Sequence, residues 1–483
     1  MKKIFFFAAF LITANFSRAQ WEPDVRLTND PAGSNTSINN QRCVASLGDT
    51  VHVVWYDLRD GNDEIYYKRS TDRGSTWGND TRLTNNSGDS YHPAVSAGGS
   101  IVHVAWSDNR DGNYEIYYKR STDRGTTWEP EIRLTNADST SYNPSIAIVG
   151  LIVNIVWYDI RDGNWEIYYK RSTDGGLTWE SDKRLTNDHA NSFNPSVAVS
   201  GSLVHVVWGD YRTGPNGEIF YKQSLDNGVT WGQDIQLTNN AGVSRRPCVA
   251  ASDSVVHLVW YDYRDADNEI YYKQSADNGM TWSADVRLTN SAGASFDPSI
   301  AVAGSAVHIV WYDTRDSDLE IYYKRSEDKG LTWGTDTRLT NSSGASQYPS
   351  IAISDAVVHV VWADTRDGNA EIYYKRDTTG GYAVGTDNRL TGMTVGQSIK
   401  ISPNPASCIV HIYADNNSNQ TLLQTNETTF LVIRNILGVV LINQQIQNGE
   451  TAIDASGLLN GLYFACLKTG NKQTVSTKLV ILK

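Results

Sequence analysis

The sequence predicts an all-β chain: a seven-bladed β-propeller of four-stranded blades, followed by a small C-terminal β-sandwich domain. Three observations carry this. The stretch Trp55–Asn85 (WYDLRDGNDEIYYKRSTDRGSTWGNDTRLTN) recurs, its opening tryptophan returning at Trp106, Trp157, Trp208, Trp260, Trp311 and Trp362, always 51 or 52 residues on. A fixed period of this kind marks a repeat architecture in which each unit buries its apolar face against the next. Within each unit lie about four extended runs, and no helical period is sustained between Trp21 and Leu390. Finally, Trp21–Asn29 (WEPDVRLTN) copies the end of a unit before any unit has begun. A ring can use such an orphan strand to complete its last blade and remove an exposed edge, which favours a ring over a solenoid of sheets.

Unit two shows the elements in order. Pro93–Ala97 is a short apolar run after a turn-rich loop. Ile101–Trp106 (IVHVAW) is β-branched and apolar, Glu115–Ser121 (EIYYKRS) mixes aromatic and polar residues, and Thr127–Thr135 ends in the recurrent Arg-Leu-Thr. Gly, Asn, Asp, Ser and Pro fill the gaps, as strand boundaries require. The ends have their own character. Residues 1–19 have the pattern of a secretory signal, with Lys2 and Lys3, an apolar run Ile4–Phe16 and small residues before a cleavage point. The propeller is then expected over 20–391, a linker over 392–399 and a second domain over 400–483. No later run is long enough to span a bilayer. The net charge of -12, without a basic cluster, argues against nucleic acid as a partner. Cys43 and Cys248 hold the same position in units one and five, too far apart in a ring to touch, so free thiols are expected; pairing of Cys408 with Cys466 is left open.

The turn after the third run has the pattern Ser-x-Asp-x-Gly-x-x-Trp. It occurs first at Ser70, Asp72, Gly74 and Trp77. It returns at Asp123 with Trp128, Asp174 with Trp179, Asp226 with Trp231, Asp277 with Trp282 and Asp328 with Trp333. Ser and Asp can accept bonds from their own turn, Gly74 and its counterparts take a positive φ, and Trp folds back over the blade. Six copies at one period resemble the Asp-box, or BNR repeat, of sialidases and related propellers. The resemblance implies a structural turn on the face away from the active site. In unit seven the matching positions are Asp377, Thr379, Gly381 and Val384, so that box is broken.

The loop after the second run, Asp57-x-Arg59-Asp60-Gly61-Asn62-x-Glu64, also repeats. Antiparallel strands put it on the face opposite the boxes, with the blade-to-blade connections; in sialidases that is the substrate face. Its charges suit either glycan or Ca²⁺ binding, or an Asp–Arg pair that fixes each loop. No cofactor is otherwise indicated and no metal ligands are named. His52, His103, His205, His257, His308 and His359, each three before its Trp, fit core groups that are satisfied within a buried strand, with Asn154 in the seventh place.

A ligand site needs a unique place, so departures from the repeat matter most. The blade-to-blade loop carries an aromatic two residues before a proline at Tyr91, Tyr142, Phe193 and Phe296. In unit five that site is Arg245, followed by Arg246 and Pro247, and in unit one Arg42 replaces the proline. These residues are the ligand-binding candidates: arginines can clamp a carboxylate and aromatics can stack on sugars. Unit four alters its loop at Tyr211–Glu218, and unit three places Trp165 in its own. Sialidases carry a Phe/Tyr-Arg-Ile-Pro motif near the propeller's start, whereas the nearest segment here, Arg245-Arg246-Pro247-Cys248, lies mid-chain without the Ile. No catalytic residue is named.

The tail has its own signature: Ser402-Pro403-Asn404-Pro405, then Leu458-Leu459-Asn460-Gly461-Leu462-Tyr463, and the basic end at Lys483. It resembles the type A C-terminal sorting domain of the type IX secretion system, which implies a secreted or outer-membrane surface protein whose partner is that machinery. The function expected is a non-catalytic module binding glycans or surface proteins, with a monomer as the expected state. The alternatives are an exo-sialidase-like glycoside hydrolase acting on sialoglycans and a structural display scaffold.

Overall fold

The computed structural model describes residues 21–37, 42–354 and 357–379 of a first compact unit, and the strands between 397 and 481 of a second. In the first unit seven antiparallel sheets follow one another round a ring, the inner strand of each packed on the next and the seventh on the first. Blade two is typical. From axis to rim it runs Ser90–Gly98, Ile101–Asp108, Glu115–Ser121 and Ile132–Arg133. The inner strand starts earlier than its apolar run suggests. The outer one shrinks to the two residues that pair with Tyr117 and Tyr118, because the Asp-box turn occupies the chain before it.

The apolar second strands make the core. Trp55, Trp106, Trp157, Trp208, Trp260, Trp311 and Trp362 are fully buried. Each indole N–H needs a buried acceptor, and finds the carboxylate two residues on: Trp55 donates to Asp57 at 2.9 Å and Trp362 to Asp364 at 2.9 Å.

The Asp-boxes form the joints between blades. In the second box the Ser121 hydroxyl accepts from Gly125 N at 2.8 Å, and Asp123 accepts from Thr127 N at 2.8 Å. Trp128 does not fold over its own blade. It meets the ring of Tyr67 in the preceding blade, edge to face at 4.9 Å. The Tyr67 hydroxyl also lies against Gly125, where an added Cβ would sit 1.9 Å from it. The same hydroxyl reaches back to His52 Nδ1 at 2.7 Å. One tyrosine thus joins its own second strand to the neighbouring box. The arrangement recurs at Tyr118, Tyr169, Tyr221, Tyr272 and Tyr374, against Trp179, Trp231, Trp282, Trp333 and Trp77. In blade three Asn154 replaces the histidine and accepts from Tyr169 at 2.7 Å, so the histidines are core groups rather than ligands.

At Gly74 the box glycine serves more than its own turn. The turn itself is as expected: Gly74 has a φ of 81°, its N–H donates to the Ser70 hydroxyl at 2.8 Å, and Asp72 accepts from Thr76 N at 2.8 Å. The difference lies across the joint. A Cβ on Gly74 would stand 1.9 Å from the hydroxyl oxygen of Tyr374, which belongs to blade seven. Gly74 is therefore required twice, by its backbone angle and by the close approach of a neighbouring blade's tyrosine.

The seventh blade is finished by the N-terminal segment. Val25–Arg26 pairs with Tyr373 and Tyr374 as the outer strand, and Trp21 bridges to Asp377. Trp21 meets Tyr323 at 4.9 Å, as the box tryptophans meet their tyrosines. Asp24 receives Arg366 at 2.8 Å, as Asp80 receives Arg59 at 2.8 Å in blade one. Gly381, Val384 and residues 387–391 lie outside the described residues, as do the signal segment 1–19 and Cys408. Cys43 and Cys248 are free and buried. The second unit holds a three-stranded sheet, in the order Gln397–Ser402, Ile409–Asn416, Glu450–Asp454. Beside it in sequence is a four-stranded one, Val440–Gln445, Thr429–Asn435, Gly461–Thr469, Lys472–Ile481. No helix among the described residues is long and apolar enough to cross a membrane.

The joints can be tested at the closure and through pH. Deleting residues 21–29 leaves Glu371–Asp377 as an unpaired edge; size-exclusion chromatography and thermal melting are expected to show aggregation and loss of one cooperative transition, whereas a monomer with an unchanged melt contradicts closure. The pH test concerns the histidines. Burial pushes His205 down from its ordinary 6.5 to about 4. Between those values the unfolded chain binds a proton that the fold refuses, so stability is full above pH 6.5 and declines as pH falls toward 4. His205→Asn, the residue blade three already uses, is expected to flatten that decline in denaturant titrations; an unchanged pH profile contradicts it.

Candidate functional site at the mouth of the central channel

The two faces of the ring differ. The boxes pack on the turns between inner and second strands, as where Arg124 N donates to Ser100 O at 2.8 Å. The loops after the second strands pack on the blade-to-blade connections, as where Asn113 Nδ2 donates to Ser139 O at 2.7 Å. The candidate residues all belong to this second face.

The repeated charges of its loops are consumed internally. Asp57 accepts from Trp55, from Ser34 at 2.7 Å, and from Arg59 Nε at 2.9 Å and Nη2 at 2.6 Å. Burial opposes ionisation of this carboxyl, but the bonds from Arg59, Ser34 and Trp55 outweigh it and hold it below its ordinary range. Arg59 also reaches Asp80 at 2.8 Å and stacks on Tyr66 with its guanidinium 4.3 Å from the ring centre. Equivalent stacks occur in all seven blades. Glu64 is fully buried and holds Arg82 at 2.8 Å. These groups fix the loops, and among the described residues no three His, Cys, Asp or Glu side chains converge as a metal site would need.

Symmetry breaks one ring further in. The residue immediately before each inner-strand proline has a positive φ: His92 (53°), Asn143 (62°), Asn194 (53°), Arg246 (49°), Asp297 (48°) and Tyr348 (54°). A residue before proline ordinarily stays extended, and a positive φ costs any residue but glycine. The strand ladder slips here, as between Tyr142 and Ser145, and such a bulge re-aims a side chain. The backbone is shared while the chemistry differs from blade to blade. Sequence reasoning weighed the residue two before the proline and missed this one; differing residues before an otherwise repeated proline were the available signal.

Several of these side chains carry polar atoms without a hydrogen-bond partner. Asn143 is 1% exposed, yet neither atom of its amide has a hydrogen bond. His92 Nδ1 and Asp297 Oδ1 are buried and equally unpartnered. Buried polar atoms without partners are uncommon and need an explanation. His92 Nε2 meets the Tyr142 hydroxyl at 3.0 Å; burial, with Arg246 nearby, pushes this histidine down to about 4. Arg246 forms an ion pair with Asp297, a fully buried carboxyl that burial raises against the pull of Arg246 and Tyr312.

The other candidates frame this centre. Tyr91, Tyr142 and Phe193 are half-buried and belong to a run of ring contacts, Tyr91–Tyr114 at 6.1 Å, Tyr114–Tyr142 at 5.0 Å, then through the buried Tyr158 (Tyr142–Tyr158 at 5.9 Å, Tyr158–Trp165 at 5.0 Å) to Trp165–Phe193 at 6.1 Å and Phe193–Tyr211 at 5.9 Å. The run stops where blade five places Arg245, which is exposed. Phe296 lies beyond it, 5.7 Å from Tyr261 and 5.3 Å from Tyr312. Arg42 is placed differently. Its guanidinium donates to Val197 O at 2.9 Å and Val249 O at 2.8 Å, in blades four and five. Those blades face blade one, so the side chain crosses the channel. It caps a cavity of about 270 Å³ lined by small apolar residues such as Ala147, Ala198 and Ala250, and forms the floor of the mouth.

Because the Asn143 side-chain amide has no hydrogen bond and its backbone is left-handed, Asn143→Gly is expected to leave the melting temperature unchanged or higher. Truncating a buried amide that serves the fold lowers stability by about 1–3 kcal/mol, and such a loss contradicts the assignment.

Comparison with known proteins agrees with this architecture. Residues 156–360 match the BNR repeat-like domain, and residues 400–482 match the secretion system C-terminal sorting domain. A sialidase of Clostridium perfringens is 28% identical over 226 residues, 38% of this chain and 58% of that one. A xyloglucanase of Acetivibrio thermocellus is 29% identical over 170 residues, 29% of this chain and 19% of that one. The chain therefore spans little more than half of the sialidase it matches. A solved ulvan lyase, a polysaccharide lyase bound to -[GlcA(1-4)Rha3S]-, superposes with a TM-score of 0.54 at 11% identity, covering 74% of this chain and 97% of that one.

Proposed function

This chain is a BNR-repeat, sialidase-like propeller with a type IX sorting domain, exported to the medium or the outer-membrane surface, and from that premise we propose that the mouth of its channel binds acidic glycans. One observation carries the reading: a row of half-buried aromatic rings ends at the adjacent arginines Arg245 and Arg246, on the face where the Asn143 amide and single atoms of His92 and Asp297 are buried without a hydrogen bond. Aromatic faces suit sugar rings, a guanidinium suits a carboxylate or sulfate, and the unpartnered amide of Asn143 suits a hydroxyl. The fold-related ulvan lyase was solved with a repeat that bears both a uronate and a sulfate.

A glycoside hydrolase is the second reading, favoured by Asp63. This carboxyl, only 5% exposed, lies in the loop of blade one; burial raises it above its ordinary range, against the Tyr91 hydroxyl that holds it. A buried acid beside a sugar platform suits proton donation. Fluorogenic sialosides and reducing-end assays on acidic polysaccharides separate the two readings.

Arg245→Ala tests the binding site cleanly, since its side chain is exposed. A lost charged hydrogen bond costs roughly 1.5–3 kcal/mol, about ten- to a hundredfold in affinity. Arg246 needs a paired change, Arg246→Ala with Asp297→Asn, because removing the arginine alone strands a buried carboxylate. On an acidic-glycan array both variants are expected to lose binding while melting as the parent does. Full retention by the two folded variants removes these arginines from the site, and absence of any binding by the parent leaves a display scaffold.

A further inference from the structure

We infer that the mouth takes the interior of an acidic polysaccharide chain, several sugars at once, rather than a single terminal sugar. This rests on the acidic-glycan reading above and extends it to the form of the ligand. The aromatic row is long. It alternates inner-strand and loop residues from blade two to blade four in two groups, Tyr91, Tyr114 and Tyr142, then Trp165, Phe193 and Tyr211, joined through the buried ring of Tyr158, and the next inner-strand position is Arg245 of blade five. All six rings are half-buried, so each keeps surface for contact. Within each group successive rings meet edge to face or tilted, as at Tyr114–Tyr142 (71°) and Trp165–Phe193 (45°), which leaves a string of separate platforms rather than one closed box.

The floor supports the same conclusion. Arg42 crosses the axis and is held by carbonyls of blades four and five, so a ligand entering from this face is stopped at the inner ring and must lie along the rim. The break in the aromatic row is cationic, at Arg245 and Arg246, and this fixes the place of one acidic group. Neighbouring sugars then extend over blades four, three and two. Two of the loop aromatics stand where the blades differ: Trp165 fills the variable position of an otherwise regular loop, and Tyr211 opens the altered loop of blade four. Uniform blades have no use for them, and a chain-shaped ligand does.

The test is affinity against length. Oligosaccharides of the GlcA(1-4)Rha3S repeat and of sialic acid polymer, from two to eight residues, are titrated into the full protein by calorimetry. Affinity is expected to climb with each added repeat for at least one series and to level off once the row is covered. Trp165→Ala is expected to weaken the octasaccharide about tenfold, the scale of an interface anchor, and to leave the disaccharide unchanged. Equal affinity for the two- and eight-residue ligands overturns the inference while leaving the acidic-glycan reading intact. An effect of Trp165→Ala on both lengths alike also overturns it. Absence of binding at every length, in a protein that melts normally, removes the acidic-glycan reading and this inference together.

Discussion

The whole ring depends on one tyrosine per blade. Tyr67 and its counterparts are held from two sides: a histidine or asparagine of their own second strand binds the hydroxyl, and the glycine and tryptophan of the next Asp-box enclose the ring. No blade can hold that tyrosine alone, because half of its enclosure belongs to the neighbour. The same fact sets the demands on the box. Its glycine, as at Gly74, needs a positive φ and also needs to lack a side chain, since a Cβ would overlap the tyrosine oxygen. Its Ser and Asp hold the turn so that the tryptophan arrives at the tyrosine. A ring of such joints stays open unless the last one is made, and Trp21, from the other end of the chain, makes it on Tyr323. Linking first to last costs loop entropy that grows only slowly with length, and it gives blade seven the same short outer strand as the other blades.

Much of this was legible in the sequence because it repeats. Seven tryptophans at one period gave the blades, and the orphan segment before the first unit gave the closure. What stayed hidden was partnership across blades. The box tryptophan looked like a cover for its own blade, and Gly74 like a residue of its own turn, since nothing in a linear repeat says that their tyrosine lies one unit earlier. The ring of Asp–Arg loops suited architecture better than ligands, because the same residues stand in every blade, but its charges left ligand binding open. Only the geometry, with Trp55, Ser34 and Arg59 all spent on Asp57, decides for architecture.

The candidate site was legible in part. The departures at Arg42, Arg245 and Arg246 were visible as breaks in the pattern, and they lie in one region of the ring. Their roles were not visible. Arg42 turns inward and closes the channel, Arg246 is tied to a buried Asp297, and Arg245 faces solvent. The left-handed residues before the prolines escaped notice because backbone angle leaves no mark in sequence unless the residue is glycine. A residue before proline with positive φ is costly twice over. Six of them around one mouth, with unpartnered atoms on His92, Asn143 and Asp297, indicate strain and unsatisfied polarity retained where a ligand can use them.

The division of labour is therefore spatial. Uniform residues build the joints and the loops, and non-uniform ones gather at one mouth above the Arg42 floor. The most direct measurement is an experimental structure of the protein with an acidic octasaccharide bound. The account predicts sugar rings against Trp165 and Phe193, with a carboxylate or sulfate at Arg245. A ligand seated on the Asp-box face, or in the apolar channel beneath Arg42, contradicts it.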